Sequence, residues 1–306
     1  MALSAGLKAR AGQNGQVSME LFLTRLWGRF PVPAVPFLDQ DLAAENGRRH
    51  LALVLAYQGS EWAGWQIQPG LPTVQEAVEK ALSRLCAHPV RAAASGRTDA
   101  GVHAWGQVAG FSTVSRLPAE AMLQGLRRLL PPSVFPLALG PVAPGFHARY
   151  SAQSKTYDYY LAPAMNCPVF LRSFLWPLPG DLREEPVRAA LTLCLGDTDM
   201  RALSSGPPAS STAGPGANTV RRIMEARLDI SPGLWRVRVT ASGFLRHAMR
   251  NLVGILVRVG QGKLSPGQLV QMLTAGEKLY SAPKAPPAGL YLQKVRYAPH
   301  DVLAGG

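Results

Sequence analysis

The order in which apolar periodicities follow one another constrains this chain more than any other feature. His50-Leu51-Ala52-Leu53-Val54-Leu55-Ala56-Tyr57 is an apolar run of strand length, closed by a Gly-Ser turn. Val74, Ala77, Val78, Ala81, Leu82 and Leu85 then recur at helical spacing. Thr73 stands at the N-cap position with Glu76 three residues on, the pattern of a capping box. A strand leads into the loop around Asp99, and another covers Val102 to Phe111. Pro118 to Leu130 reads as a helix that Pro131-Pro132 stops, and Val134 to Val142 as a strand. The same order returns in outline: strand Lys155–Leu161, helix Leu182–Cys194, strand pair Thr219–Ile230 and Leu234–Ser242, apolar helix Leu245–Gly260, a short helix from Ser265-Pro266 to about Ala275, and strand Gly289–Tyr297. Two similar ferredoxin-like α+β halves satisfy this order, each a sheet backed by helices. They are placed at 49–150 and 151–300, with a central cleft between them as a natural ligand site.

Three segments fall outside that scheme. Residues 31–48 are Pro-rich and then polar, and residues 1–48 are expected to be an extension outside the fold, mostly disordered or, from a misassigned upstream start, non-native. Residues 301–306 read as a tail, and 204–218, rich in Ser, Gly, Pro and Ala, as a flexible loop.

Charge narrows the class of partner. Lys+Arg number 32 against 19 Asp+Glu, a net charge of +13 on a chain in which only 17% of residues are charged. A sparse charge set so unbalanced points to a polyanion, and nucleic acid is the expected one. The three cysteines, Cys86, Cys167 and Cys194, lie far apart among apolar residues. They form no metal-ligand spacing and suit reduced core thiols, so no metal and a cytoplasmic location are expected. No apolar run is long enough to span a bilayer, which argues against a membrane partner. No Gly-x-x-x-x-Gly-Lys-Ser/Thr occurs, so no nucleotide cofactor is expected.

Residues 95–111, Ser-Gly-Arg-Thr-Asp-Ala-Gly-Val-His-Ala-Trp-Gly-Gln-Val-Ala-Gly-Phe, carry the chemistry. Arg97 and Asp99 stand two apart between Gly96 and Gly101. Glycine on both flanks lets the backbone turn and approach a ligand closely. A carboxylate on such a turn is often only a turn former that bonds its own backbone. Beside a fixed positive charge it is also suited to act as nucleophile, general base or metal ligand.

The run from Gly96 to Ala104 resembles the active-site motif of the tRNA pseudouridine synthase A family. Four further blocks extend the similarity over about residues 50–298: Tyr57 to Gln66 with Thr73 to Glu76, Phe146 to Ala152 with Lys155 to Tyr159, Gly243 to Gly254, and Ala282-Pro283 with Gly289 to Leu292. The resemblance implies the pseudouridine synthase fold and a cofactor-free, metal-free isomerase. Such an enzyme converts uridine to pseudouridine in the anticodon stem-loop of tRNA, around positions 38–40, on an RNA base that must leave its stack. It implies Asp99 as the nucleophile and Arg97 as a contact to loop and substrate. It also implies Tyr157 as the residue that stacks on the target base, with a part in proton transfer left open, Arg250 as the partner of the catalytic carboxylate, and a homodimer on which the tRNA lies.

Other readings of the same residues stand beside these. Tyr157 and Tyr159 share one face of a strand, as packed core pairs do. Trp62 and Trp65 suit packing at least as well as base stacking, His103 is expected to bond locally, and Arg246 with His247 to line a solvated or RNA-facing edge. Arg250 on an apolar helix needs a partner in any reading. Two segments depart from the family pattern: Thr198 to Leu203 lacks the expected aromatics, and Arg127-Arg128 stands where an Asn is common. Asp197-Thr198-Asp199 suggests a phosphoryl-transfer motif, but Arg201 stands where that motif needs Thr. An RNA-binding protein without activity is the remaining alternative, against which the presence of Asp99 argues.

Overall fold

A computed structural model describes residues 35–38, 47–205 and 218–298. The expected loop at 204–218 and the tail at 301–306 therefore lie almost entirely outside the described residues. The elements in chain order are β1 (Arg49–Tyr57), α1 (Val74–Cys86), β2 (Ala93–Ala94), β3 (His103–Thr113), α2 (Ala119–Leu129), β4 (Val134–Pro141), β5 (Ala152–Pro163), β6 (Trp176–Leu178), α3 (Glu184–Leu193), β7 (Gly196–Asp199), β8 (Val220–Ser231), β9 (Leu234–Ala241), α4 (Ala248–Gly260), α5 (Pro266–Ala275) and β10 (Leu290–Tyr297). Short 3₁₀ turns lie at Ala164–Asn166, Val169–Leu171, Met200–Leu203 and Pro287–Gly289.

The strands form one ten-stranded sheet of order β4-β1-β3-β10-β5-β9-β8-β7, with β2 beside β3 and β6 beside β5. Each half repeats one topology. In the first, β4-β1-β3-β2 are mutually antiparallel neighbours. In the second, β10-β5-β9-β8 repeat that order, with β7 added outside β8. Both are the strand order of a βαββαβ unit. The halves do not form two separate sheets. They join where β10 runs parallel to β3 at Tyr291↔His103 and Leu292↔Ala104. One buried cluster spans the join, from Leu51, Val78, Leu82 and Leu126 to Leu191, Val253, Leu256 and Leu269.

Local sequence explains the elements. β1 is buried at nearly every position, as a strand covered on both faces must be. β9 alternates buried and partly buried residues, and its partly buried positions carry Arg236 and Arg238. The Thr73 hydroxyl caps α1 by accepting the Glu76 N–H at 3.4 Å. The Glu76 carboxylate pairs with Lys80 at 2.6 Å, so only half of the expected capping box is shown. The full box forms instead at Ser265 and Gln268, ahead of Pro266.

Three differences from expectation have physical reasons. The helix expected from Leu245 starts at Ala248, because His247 adopts a left-handed conformation (φ 64°) that no α-helix accommodates. β6 and β7, of three and four residues, are too short for a periodicity to mark. Finally, residues 35–38 of the supposed N-terminal extension pack on the fold rather than outside it. Val35 is buried, the Leu38 N–H donates to the Pro141 carbonyl at 2.9 Å, and the Phe37 ring fills the space beside Gly140. A glycine on β4 leaves room for an aromatic ring, and burial of that ring outweighs the local polarity.

Candidate active site

Asp99 lies on the loop between β2 and β3, at the join of the two halves, and that loop is pinned from several sides. The Tyr57 hydroxyl of β1 shares a hydrogen bond with Thr98 Oγ1 at 2.8 Å. Gln107 Nε2 of β3 donates to the Gly96 carbonyl at 2.8 Å and to the Tyr57 hydroxyl at 3.3 Å, while Ser95 Oγ donates to Gln107 Oε1 at 2.7 Å. Buried polar groups satisfied in this way fix one arrangement. Burial pushes the Tyr57 phenol up to about 12, so it stays protonated.

The loop carrying Trp62 and Trp65 clamps the other side. The Trp65 N–H donates to the Thr98 carbonyl at 3.1 Å, and the Gly101 N–H to the Trp62 carbonyl at 3.2 Å. Gly64, at φ +99°, lies so close that a Cβ there would meet the Thr98 carbonyl oxygen at 2.5 Å. From β5, Lys155 Nζ donates to the Ser95 carbonyl at 2.5 Å. Burial, and then the charges of Arg149 and Arg221, pull this ammonium down to about 8.

The Asp99 carboxylate, 29% exposed, meets the C-terminal half. Arg250, on the first turn of α4, donates Nη1–H to Asp99 Oδ2 at 3.1 Å. Its Nε donates to the Ala285 carbonyl at 2.8 Å, and the Ala285 N–H returns a bond to the Arg250 carbonyl at 3.1 Å. The guanidinium is buried and held at both ends, so its direction toward Asp99 is fixed by packing. Gly254, one turn on, makes this possible: a Cβ there would collide with the Pro283 carbonyl that lies against the helix.

Tyr157 of β5 is buried, its ring set edge-on to Phe244 at 4.9 Å and 77°. Burial raises its phenol, and the neighbouring Tyr57 and the Asp99 charge raise it further. Arg97 is exposed and has no carboxylate partner among the described residues. Of the four residues singled out from sequence, Asp99, Tyr157 and Arg250 share one site, and Arg97 projects from its loop toward solvent. Arg246 is exposed as expected of an edge residue, but His247, expected beside it on a solvated or RNA-facing edge, is half-buried and its Nε2 stands 3.4 Å from Asp99 Oδ2. The available signal was its spacing, since a residue three before Arg250 falls on the same side.

The bland expectations have clear outcomes. His103 Nδ1 accepts the Gly59 N–H at 3.1 Å, and its ring stacks on Tyr291 at 4.6 Å. Burial pulls it down to about 4, so it is a neutral core histidine. Trp65 is buried in the core and the Trp62 indole donates to Ser133 Oγ at 3.2 Å, so both act as packing anchors. Asp199 accepts the Arg201 N–H and pairs with its guanidinium at 2.7 Å. Met200, Ala202 and Leu203 fill the core in the segment that lacks the family's aromatics. The Arg127 guanidinium lies over the Phe135 ring at 5.5 Å. No group of three His, Cys, Asp or Glu among the described residues is arranged to hold a metal.

Residues 190–298 match the family model described as tRNA pseudouridine synthase. The chain is 39% identical over 249 residues to a tRNA pseudouridine synthase A of Geobacter sulfurreducens, covering 81% of this chain and 100% of that protein. Against the tRNA pseudouridine synthase A of an Exiguobacterium species it is 36% identical, over 83% of this chain and 100% of the relative. Against that of Neisseria gonorrhoeae it is 37% identical, over 82% and 92% respectively. The chain belongs to the tRNA pseudouridine synthase A family. It is therefore an isomerase, and the mixed α+β sheet is that family's architecture in this chain.

Proposed function

We propose that this chain converts uridine to pseudouridine in the anticodon stem-loop of tRNA, around positions 38–40, on a base flipped from its stack. Asp99 is the nucleophile in this reading. The N1–C1′ bond breaks, the base turns, and a C5–C1′ bond forms. N1 gains a proton and C5 loses one, so the reaction balances without a co-reactant. Attack at the ribose, attack at the uracil and elimination to a glycal all begin from the same carboxylate.

The observation that carries the reading is the Asp99–Arg250 pair, which links two positions 151 residues apart at 3.1 Å. A buried arginine held at both ends aims the carboxylate before substrate arrives, which is how a site reduces reorganisation. Tyr157 is the stacking residue. A phenol kept neutral by burial is a poor base but a good aromatic platform, and stacking offsets part of the few kcal/mol that flipping costs. Arg97, exposed beside Asp99, reaches for RNA phosphate, and the net charge of +13 supports the same partner.

A homodimer and a cytoplasmic location complete the proposal. Met165 and Phe170 are 95% and 77% exposed, an apolar surface that suits contact with a second chain. The three described cysteines are free and buried, as in a reducing compartment. Light scattering that returns the mass of one chain would remove the dimer.

The deciding experiment incubates tRNA with the wild-type protein and with Asp99→Asn, then maps pseudouridine. Modification by wild type alone is expected. Equal modification by both refutes Asp99 as nucleophile, and none by wild type on any tRNA favours binding without catalysis.

A further inference from the structure

His247 carries several local costs at once. Its backbone is left-handed at φ 64° and ψ 0°, a conformation that non-glycine residues seldom adopt. It occupies the N-cap of α4 but makes no side-chain cap, although Ser, Thr, Asp or Asn there would bond a free N–H. Its Nδ1 is buried and has no hydrogen-bond partner among the described residues. Such costs persist where the surroundings hold them for a purpose. What the ring gains is its Nε2, 3.4 Å from Asp99 Oδ2.

Arg250 reaches the same atom, Oδ2, at 3.1 Å. A hydrogen-bond donor of Arg250 and the His247 ring nitrogen, at ion-pair distance, thus converge on one carboxylate oxygen, while Oδ1 receives no hydrogen bond from the described residues. We infer that His247 is a positioning residue which, with Arg250, holds Oδ2 of Asp99 and turns Oδ1 toward the substrate as the attacking atom. The inference rests on Asp99 being the nucleophile. It assigns His247 the Nε2–H tautomer, which donates, and leaves Nδ1 without a proton. A proton on Nδ1 would be a buried donor with nothing to receive it. The groups facing the ring agree. Burial pulls the imidazole down; the Asp99 charge pushes it up, while Lys284, Arg246 and Arg250 pull it down again. Burial and the three neighbouring cations thus favour the neutral ring, which faces Asp99 through Nε2 at 3.4 Å. Contacts of this kind are often long in a free enzyme and tighten in the complex.

The test compares His247→Leu, His247→Gln and His247→Gly with wild type in single-turnover pseudouridine formation, tRNA binding and thermal melting. Loss of one donor to a charged group is expected to slow His247→Leu about ten- to a hundred-fold with tRNA affinity unchanged. His247→Gln, whose amide N–H reaches the same oxygen, should recover most of that rate. His247→Gly should be as slow as His247→Leu yet melt no lower than wild type, because glycine relieves the left-handed backbone. A purely structural role predicts the reverse, with activity following stability. Wild-type rate in His247→Leu overturns the inference, as does a glutamine variant no faster than the leucine variant, or a loss confined to affinity. Asp99→Asn is run alongside: if it is active, the nucleophile reading falls and this inference with it. If it is inactive while His247→Leu is fully active, this inference alone fails.

Discussion

Gly64→Ala should damage the candidate site although residue 64 lies on a different loop from Asp99. Gly64 sits at φ +99°, and an added Cβ would meet the Thr98 carbonyl oxygen at 2.5 Å and the Asp99 carbonyl carbon at 3.0 Å. Both obstacles are backbone, so neither can rotate away. Restoring the first contact to an ordinary 3.4 Å requires about 0.9 Å of displacement in the segment that bears the carboxylate. Two terms add. The unfavourable backbone conformation costs about 1–3 kcal/mol, and the crowding about 1–3 kcal/mol more. Gly70→Ala isolates them: φ is +73° but nothing lies within 4 Å, so only the conformational term applies. In thermal melts Gly64→Ala should fall further than Gly70→Ala by the crowding term, at about 2–4 °C per kcal/mol. In single-turnover assays Gly64→Ala should lose about a hundred-fold, the usual consequence of a 1 Å misplacement, while Gly70→Ala stays at wild-type rate. Equal melting of the two variants, or a Gly64→Ala variant that is destabilised but fully active, would refute the coupling of the Trp62–Trp65 loop to Asp99.

His103 supplies a pH dependence of known sign. Its folded value, about 4, lies below the ordinary 6.5, so the unfolded chain binds the extra proton first; its contribution is complete above pH 6.5 and is lost as pH falls toward 4. The loss approaches about 3 kcal/mol, and His103→Asn, which keeps an acceptor for the Gly59 N–H, should flatten the acid limb of a stability–pH curve; an unchanged limb would refute the assignment. Phe37→Ala, removing a ring that packs beside Gly140 on β4, should cost about 1–2 kcal/mol in chemical denaturation, and no loss would mean that residues 35–38 do not contribute to the fold.

How legible the fold was depends on length and period. β1, α1 and α2 carry long single-period patterns, and each lies within about two residues of its expected place. The repetition of one element order was also legible, and it corresponds to the shared strand order of the two halves. The join was not. β10 meets β3 through only two parallel register pairs, and pairing between strands almost two hundred residues apart leaves no local trace. The docking of Phe37 was hidden for a related reason. Its seat is made by a glycine on β4 some hundred residues away, while Pro31, Pro33 and Pro36 just before it suggest disorder.

The site divides along the same line. Asp99 was visible because the glycines that present it stand in the same loop. Arg250 was visible as a contradiction, a charge on an apolar helix, and the structure resolves it with the Ala285 carbonyl and the Asp99 carboxylate. His247 carries a contradiction of another kind, since its cost is conformational. A histidine in sequence gives no sign that its backbone is left-handed, that it leaves a helix uncapped, or that one ring nitrogen is stranded. Charge out of place can be read from residue types alone, whereas strain out of place exists only once φ and ψ are fixed. That difference explains why residue types alone showed that Arg250 needed a partner, which the family resemblance named as Asp99, while the histidine three residues before it read as an edge residue, although both reach the same oxygen.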